Sequence, residues 1–366
     1  MSLLTYIGMF AGGLVLLLFG GKMLVDAAVA VASRLGISPL LVGLTVVSWG
    51  TSAPELAFNT ISAVKGRTDM VFGNLVGANI CNIGLILGIC ALIRPLAVGD
   101  AVIRRELPVV ALTMALLLAL ALFGAPGFAR WEGLILLGVF LIYSTLTILD
   151  GVRAHPRKTQ LDEQVSHKHE RDFERSLLSS IVGFTIGLAM LGLGGSLAAD
   201  GASGAATLMG ISPAVVGLTV VALGTTLPEL ITGIIAVRKG HVDIAVGNVV
   251  GSSIFNIACI FGLASAISPM VVPHNGILAI CVMSGLCVVL MIMARTTNRS
   301  ISRIEGTLLL LFYASFVGFQ VFSATLAPPP AAPVHSEPAA AEPDAPPEPS
   351  PPAQTPVLTP QPPPDR

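Results

Sequence analysis

Long apolar runs separated by short polar segments fill this chain from residue 3 to residue 325. A helix needs about 20 apolar residues to cross the hydrocarbon core of a bilayer, and ten of the runs are long enough. Because backbone groups in lipid must pair within their own segment, we expect each run to form an α-helix. The predicted spans are 3–32, 39–64, 70–93, 105–124, 132–150, 177–200, 213–237, 243–267, 276–294 and 305–325.

The amino-acid composition is that of an integral membrane protein. The chain of 366 residues is 54% hydrophobic and 11% charged, with a mean hydropathy of +0.84, whereas charged residues make up about 25% of soluble domains. We therefore predict an all-α polytopic membrane protein. The five cysteines lie in apolar segments without a CxxC pair, which favours neither a disulfide framework nor a zinc site. No nucleophile with a base, phosphate loop or cofactor motif is present, so we expect neither an enzyme nor a bound cofactor.

Two copies of one sequence unit lie 174 residues apart. GLTVVSWGTSAPEL, which begins at Gly43, recurs as GLTVVALGTTLPEL, and GNLVGANICNIG, which begins at Gly73, recurs as GNVVGSSIFNIA. Each copy holds five predicted spans, so the second copy must cross the membrane in the direction opposite to the first. The sequence thus predicts two inverted five-helix repeats, residues 1–150 and 177–326.

Two segments lie outside these repeats. Residues 151–176 form a charged link on the predicted cytoplasmic side, and we interpret its His167 and His169 as parts of a solvated linker rather than as metal ligands. Residues 327–366 are rich in proline, alanine and glutamate and poor in large apolar residues, which predicts a disordered extracytoplasmic tail.

The basic residues predict the orientation in the membrane. With the N-terminus outside, 15 of the 20 lysines and arginines fall on the inner side, as the positive-inside rule requires. We therefore expect a multi-pass protein of the cytoplasmic membrane with both termini extracytoplasmic. Asp26 and Asp200, which match at the same offset, lie near opposite faces, where they either mark ion entrances or are solvated helix ends.

Proline interrupts the second and seventh spans at equivalent places. Pro54 has no N–H to donate to the carbonyl of Gly50, and Pro228 stands in the same relation to Gly224. We expect helices 2 and 7 to break there. Irregular backbone survives in lipid only where protein or a polar cavity surrounds it, and a cation is a natural partner for the freed carbonyls.

The side chains around these two breaks offer only oxygen ligands. Hard oxygens without thiolate or imidazole suit sodium, calcium or magnesium rather than zinc, copper or iron. Calcium, which takes about six to eight oxygens in flexible geometry, fits best. The carboxylates are Glu55 and Glu229, and the hydroxyls and amides belong to Ser48, Thr51, Ser52, Asn82, Thr225, Thr226, Ser252 and Asn256.

The two glutamates predict exchange rather than simple binding. Together they neutralise one divalent ion, which offsets the penalty of burying either carboxylate alone. Without a cation they would repel each other, so we expect monovalent ions or protons to replace departing calcium. The alternative is that Lys22 forms a structural ion pair with a buried glutamate. Repetition disfavours this alternative, because the glutamate recurs with its whole surroundings whereas the counterpart of Lys22 is Ser196.

GTSAPE with GNLVGANICN, and GTTLPE with GNVVGSSIFN, resemble the alpha-repeats of the calcium/cation antiporter superfamily, in its sodium/calcium exchanger branch of prokaryotic type. The resemblance covers about residues 12–326. It implies ten helices, of which the second, third, seventh and eighth enclose the ion sites and the first and sixth slide as gates. It also implies calcium ligands at Thr51, Glu55, Thr225 and Glu229 and sodium ligands at Ser48, Ser52, Asn82, Ala222, Thr226, Ser252 and Asn256, with Ser48 and Ala222 acting through their carbonyls.

Two positions depart from the family pattern. Ala78 stands where the family often has serine, and Asn256 stands where many exchangers keep aspartate. Three sodium ions against two carboxylates would leave 3 − 2 = +1, and one calcium ion 2 − 2 = 0, so such exchange would be electrogenic. The departures leave a lower sodium stoichiometry or coupling to protons open. The acidic GNxxE pattern of the proton-coupled branch is absent, since Gly77 and Gly251 occupy that place, which favours sodium.

The sequence therefore predicts an antiporter that exchanges Ca²⁺ for Na⁺ across the cytoplasmic membrane by alternating access and exports calcium. Ca²⁺/H⁺ or potassium-dependent Na⁺/Ca²⁺ antiport is the alternative within transport. A cation channel or a calcium-sensing membrane protein is the alternative from a different class. Apart from the two ions and the lipid bilayer, we expect no nucleic acid and no obligate protein partner, and we expect a monomer.

Overall fold

The computed structural model describes residues 2–124, 127–153, 177–210, 222–273, 276–296 and 299–326, and this part of the chain is mostly helical. Most of the predicted link, with His167 and His169, and the predicted tail lie outside the described residues. The helices are α1 (Leu3–Leu35), α2 (Pro39–Thr51), α3 (Ala53–Val64), α4 (Thr68–Ile93), α5 (Val102–Phe123), α6 (Arg130–Arg153), α7 (Leu177–Leu208), α8 (Ala222–Arg238), α9 (Val242–Ile267), α10 (Gly276–Thr296) and α11 (Arg303–Leu326). The strands β1 (Leu96–Ala97) and β2 (Ser300–Ile301) are two residues long each.

The helix lengths are those of a membrane-spanning protein. Eight of the described helices are long and apolar enough to cross a bilayer, and the bent pair α2 and α3 makes a ninth candidate. The predicted span 213–237 is described only from Ala222 onward, as the 17-residue helix α8. The chain is therefore an integral membrane protein with helical spans.

The second predicted span is bent where the sequence places its proline. α2 ends at Thr51 and α3 begins at Ala53, and their axes differ by 46°. Ser52 between them has non-helical dihedral angles, φ −86° and ψ 9°. Pro54 lies in the first turn of α3, where a missing N–H removes no helical hydrogen bond. The predicted break of helix 2 is confirmed.

The predicted break of helix 7 is wrong at Gly224 and Pro228. α8 continues from Ala222 through Pro228 to Arg238 without interruption. α7 packs closely against this place, since a Cβ atom on Gly195 would lie 3.4 Å from both the Gly224 carbonyl oxygen and Pro228 Cγ. One lost hydrogen bond is tolerated in a helix when neighbouring protein surrounds the freed carbonyl.

α1 and α7, which begin the two sequence copies, pack against each other in antiparallel directions. A Cβ atom on Gly13 would lie 2.6 Å from the Gly194 carbonyl oxygen, one on Gly20 would lie 2.8 Å from that of Gly187, and one on Gly201 would lie 2.5 Å from the Phe10 nitrogen. Only glycine lets two helix backbones approach this closely. The two helices therefore form one tightly joined pair.

Equivalent backbone contacts occur at both ends of the helices. Leu96 of β1 lies opposite Ile301 of β2 at one face, and Met270 forms an isolated bridge with Phe128 at the other. Met270 follows Leu96 by 174 residues, and Ile301 follows Phe128 by 173 residues, so the two contacts join equivalent positions of the two copies. Each contact joins the end of a third span to the segment before the fifth span of the other copy.

The sequence repeat extends beyond the motifs around Glu55 and Asn82 to the start of the last helix of each copy. Arg-Trp-Glu-Gly at 130–133 and Arg-Ile-Glu-Gly at 303–306 open α6 and α11, and in each the glutamate accepts a hydrogen bond of 2.7 Å from a backbone N–H three residues earlier. The glycines then pack on Gly262 and Gly88: added Cβ atoms would lie 2.5 and 2.9 Å from their carbonyl oxygens.

Candidate cation site

The bend between α2 and α3 places Glu55 in the first turn of a helix near the middle of the protein. Glu55 is 1% exposed. The positive end of the helix dipole at this position favours a negative charge. Ser48 and Thr51, just before the bend, are also buried, and Ser48 Oγ donates to the Leu44 carbonyl at 2.8 Å. The Ser48 carbonyl oxygen accepts hydrogen bonds from Thr51, Ser52 and Ser252.

Glu229 of α8 faces Glu55 across the two sequence copies. It is also 1% exposed, and the carboxylates are close enough for their charges to interact. The threonine of each copy lies beside the glutamate of the other copy, Thr51 beside Glu229 and Thr225 beside Glu55. The repeat therefore brings these four predicted calcium ligands into one site.

Two carboxylate oxygens in this site lack a donor. Glu55 Oε2 and Glu229 Oε2 are buried and accept no hydrogen bond from protein. Among the described residues no ion pair involves either glutamate, and Lys22 is exposed, so the alternative in which Lys22 neutralises a glutamate is not what the structure shows. Buried charge without a partner is costly, which makes the pair a candidate cation ligand.

Hydroxyl groups of α2 and α9 adjoin the carboxylates. Ser52 Oγ donates to Glu229 Oε1 at 2.8 Å and lies 3.1 Å from Ser252 Oγ. Ala78 takes the place of Ser252 in the first copy, at an offset of 174, and is buried without a hydroxyl. Thr226 is buried at 2% exposure. The departure noted in the sequence thus removes one oxygen from one side of the site only.

Asn82 and Asn256, which are equivalent in the two copies, each lie at the start of a π-helical segment. Asn82 begins the π-helical segment Asn82–Leu87 of α4, and Asn256 lies in Phe255–Phe261 of α9. They are 1% and 2% exposed, and both polar atoms of the Asn82 amide and the Asn256 Oδ1 atom have no protein partner. Such unpaired buried amides are rare, and π-helical turns recur at functional sites. A bound cation would account for both oxygens.

Three further asparagines, to which the sequence analysis gave no role, adjoin the threonines and Glu55. Thr51 Oγ1 donates to Asn248 Oδ1 at 3.1 Å, and Asn74 Nδ2 donates to Thr225 Oγ1 at 3.4 Å. The two residue pairs are equivalent at the 174 offset, with donor and acceptor exchanged. Asn59 donates to Asn74 Oδ1 at 2.9 Å and to the Glu55 carbonyl at 2.7 Å. The GN pairs were visible in both copies; Asn59 was not, because its counterpart is Gly233.

The donor set fits a hard cation. Within the described ranges no group of three or more histidine, cysteine, aspartate or glutamate side chains could hold a metal. Two carboxylates with hydroxyl and amide oxygens remain, which suits sodium or calcium. Ala222 begins α8 and so lies on the same helix as Thr225 and Glu229; its predicted contribution is a backbone carbonyl.

Comparison with known proteins identifies relatives over nearly the whole helical region. A family model described as sodium/calcium exchanger protein matches residues 5–149 and 179–322. The sodium/calcium exchanger MaX1 of Methanosarcina acetivorans is 31% identical over 83% of this chain and 95% of its own length. The inner membrane protein YrbG of Escherichia coli is 36% identical over 70% of this chain and 78% of its own length.

A solved structure has the same fold. The sodium-calcium exchanger NCX_Mj, soaked with Na⁺ and Sr²⁺, superimposes with a TM-score of 0.74 and 28% identity. The match covers 87% of this chain and 99% of NCX_Mj.

Proposed function

This chain belongs to the sodium/calcium exchanger family, and from that premise we propose that it is a secondary antiporter that exchanges Ca²⁺ for Na⁺ by alternating access and exports calcium across the cytoplasmic membrane. One observation carries the proposal. Glu55 and Glu229 share a buried site, each lies beside the threonine of the other sequence copy, and each keeps one oxygen without a protein donor.

The proposed calcium site uses both glutamates and both of these threonines. A calcium ion would neutralise the two carboxylates and bind their unpaired oxygens. The proposed sodium ligands lie around it, and they include the orphaned amide oxygens of Asn82 and Asn256. The full sodium set is Ser48, Ser52, Asn82, Ala222, Thr226, Ser252 and Asn256.

Competition between the ions follows from electrostatics. When calcium leaves, two like charges remain buried side by side, which is unfavourable until other cations bind. Sodium ions that bind the same oxygens restore neutrality, so one ion leaves as the other enters. With Asn256 neutral, the site has two carboxylates, and three sodium ions would leave a net charge of 3 − 2 = +1.

We propose that the two copies are inverted five-helix repeats. The antiparallel packing of α1 and α7 supports this, as do the equivalent contacts Leu96 with Ile301 and Met270 with Phe128. An inverted repeat lets one arrangement of helices open the site to either side of the membrane.

The orientation we propose places the β1–β2 face in the cytoplasm and both termini outside. Basic residues cluster on segments near that face, among them Arg94, Arg104, Arg105, Arg299 and Arg303. The segments near the Phe128–Met270 face carry Lys65, Arg67 and Arg130. This asymmetry agrees with the positive-inside rule.

Calcium flux in proteoliposomes tests the function. Calcium uptake should require an outward sodium gradient. Full replacement of sodium by a proton gradient would favour Ca²⁺/H⁺ antiport, and a requirement for potassium in addition to sodium would favour potassium-dependent Na⁺/Ca²⁺ antiport. Passage of calcium without any counter-ion would show a channel instead.

Removal of one carboxylate tests the site in the same assay. Glu55→Gln or Glu229→Gln should lower calcium exchange about hundredfold or more, because breaking a buried charge arrangement costs about 3–5 kcal/mol. Glu106→Gln is the matched control, because Glu106 is also buried but is not one of the proposed ligands. Its carboxylate accepts a hydrogen bond of 2.5 Å from the Tyr143 hydroxyl, and a glutamine side chain can accept the same bond. Normal exchange by either site variant would contradict the assignment.

A further inference from the structure

An ion pair joins α1 to the end of α8 at the β1–β2 face. Asp26 Oδ1 accepts a hydrogen bond from Lys239 Nζ, and about a third of each side chain is exposed. Lys239 follows the last residue of α8 and precedes Gly240, which lies beside Arg94. The contact holds the C-terminal third of α1 against the helix that carries Glu229.

The same two charges occur again with the sequence copies exchanged. Asp26 corresponds to Asp200 of α7, and Lys239 corresponds to Lys65, both at the 174 offset. Lys65 likewise follows the last residue of α3 and precedes a glycine with positive φ, Gly66 at 70°. Lys65 and Asp200 are both exposed, and among the described residues no ion pair involves either one.

Helix registers explain why one pair is formed and the other is not. Near the formed pair, Gly21 packs on Ile231 and Ile235, so Asp26 is level with Lys239. On the other side, a Cβ atom on Gly192 would lie 3.8 Å from Pro54 Cγ. Lys65 follows Pro54 by 11 residues and Asp200 follows Gly192 by 8, so the charges are 11 − 8 = 3 residues out of register, about 4.5 Å along a helix.

The close packing of α1 on α7 couples the two pairs. Glycine contacts such as Gly13 with Gly194 and Gly20 with Gly187 hold the helices together, so they can move only as a unit. A slide of about 4.5 Å toward the Phe128–Met270 face would bring Asp200 level with Lys65. The same slide would carry Asp26 away from Lys239.

We propose that Asp26–Lys239 and Asp200–Lys65 are alternating ion pairs, each of which holds the α1–α7 unit at one end of its travel. The first pair stabilises the arrangement described here, and the second stabilises the opposite one. The inference rests on the proposed antiport function for its transport readout only, since the positions of the charges can be measured without any flux.

Sided calcium affinity tests the proposal. Asp26→Asn should favour the opposite arrangement, and so shift the apparent calcium affinities measured from the two sides in opposite directions, by roughly twofold to fivefold for a partly exposed pair. Asp200→Asn should shift both affinities the other way. The exchange of charges in Asp200→Lys with Lys65→Asp should restore the wild-type values. Asp69→Asn, which removes an exposed carboxylate four residues from Lys65, is the control and should change neither affinity.

Cross-linking gives a readout that does not depend on the transported ions. In a protein whose native cysteines are replaced by alanine, Lys65→Cys with Asp200→Cys should react with a short bifunctional thiol reagent, and faster when Asp26→Asn is also present. If Asp26→Asn does not speed this cross-link, or if Asp200→Asn shifts affinity in the same direction as Asp26→Asn, the alternation is overturned. Failure of sodium to drive flux, with cross-linking as expected, would instead refute the proposed function alone.

Discussion

The two helices that follow the glutamates in sequence, α4 and α9, are equivalent in sequence but differ in burial. Burial reaches 94% of the residues in the apolar stretch of α9 and 72% in that of α4. On α9, added Cβ atoms at Gly247 and Gly251 would lie 2.9 Å from the Leu40 carbonyl oxygen and 2.5 Å from that of Leu44. The counterparts of Leu40 and Leu44, Ala214 and Leu218, lie outside the described residues.

α2 seals the α9 side of the candidate site. Asn248, next to Gly247, is completely buried, and Thr51 at the end of α2 donates to its Oδ1 atom at 3.1 Å. The contact of α2 with α9 therefore holds the residues before the bend against Asn248 and Ser252.

The largest effect should come from filling the tight contact between α2 and α9. Gly251→Ala would place a methyl group 2.5 Å from the Leu44 carbonyl oxygen and 2.6 Å from Ser48 Oγ. Overpacking of this kind costs about 1–3 kcal/mol, so we expect a lower melting temperature and calcium exchange reduced about tenfold or more. Gly285→Ala on α10 is the control and should be tolerated, because Gly285 is exposed and no described atom lies within 4 Å of an added Cβ atom. Alanine is also favoured over glycine in a helix by roughly 0.5–1 kcal/mol. Equal losses in the two variants, measured by thermal unfolding and flux, would refute the tight contact of α9 with α2.

A smaller effect should come from the Ser252 hydroxyl, which the α4 side lacks. Ser252→Ala removes the 3.1 Å contact with Ser52 and a proposed sodium ligand. The loss of about 1 kcal/mol for one hydrogen-bonding group should raise the sodium concentration needed for half-maximal calcium release about fivefold. Ala78→Ser, which makes the α4 side match α9, should lower that concentration. The two variants are compared in the same proteoliposome assay, and shifts of the same sign would show that these positions do not act as equivalent ligands.

The repeat explains why so much of the candidate site could be predicted. A carboxylate that recurs with its threonine at a fixed offset in both copies has to meet its counterpart if the copies pack together, and Glu55 and Glu229 do face each other. The bend at Ser52 followed from the missing N–H of Pro54. Oxygen ligands predicted the class of ion from chemistry alone.

Other features depend on packing that the local sequence does not contain. Pro228 failed to break α8 because α7 covers the freed carbonyl, and the sequence near Pro228 carries no sign of that neighbour. The wide turns that begin at Asn82 and Phe255 depend on backbone hydrogen bonds that side-chain periodicity does not predict. Asn59 was missed since only one copy has it, and a search by repetition finds shared residues alone.

Equilibrium binding of radioactive calcium to the purified protein, at increasing sodium concentration, tests whether Glu55 and Glu229 hold one calcium ion in competition with sodium. We expect one calcium ion per chain, displaced by sodium but not by the same concentration of choline, with binding lost in both Glu55→Gln and Glu229→Gln and kept in Glu106→Gln. Calcium binding that sodium does not displace, or that survives the loss of either glutamate, would contradict this expectation.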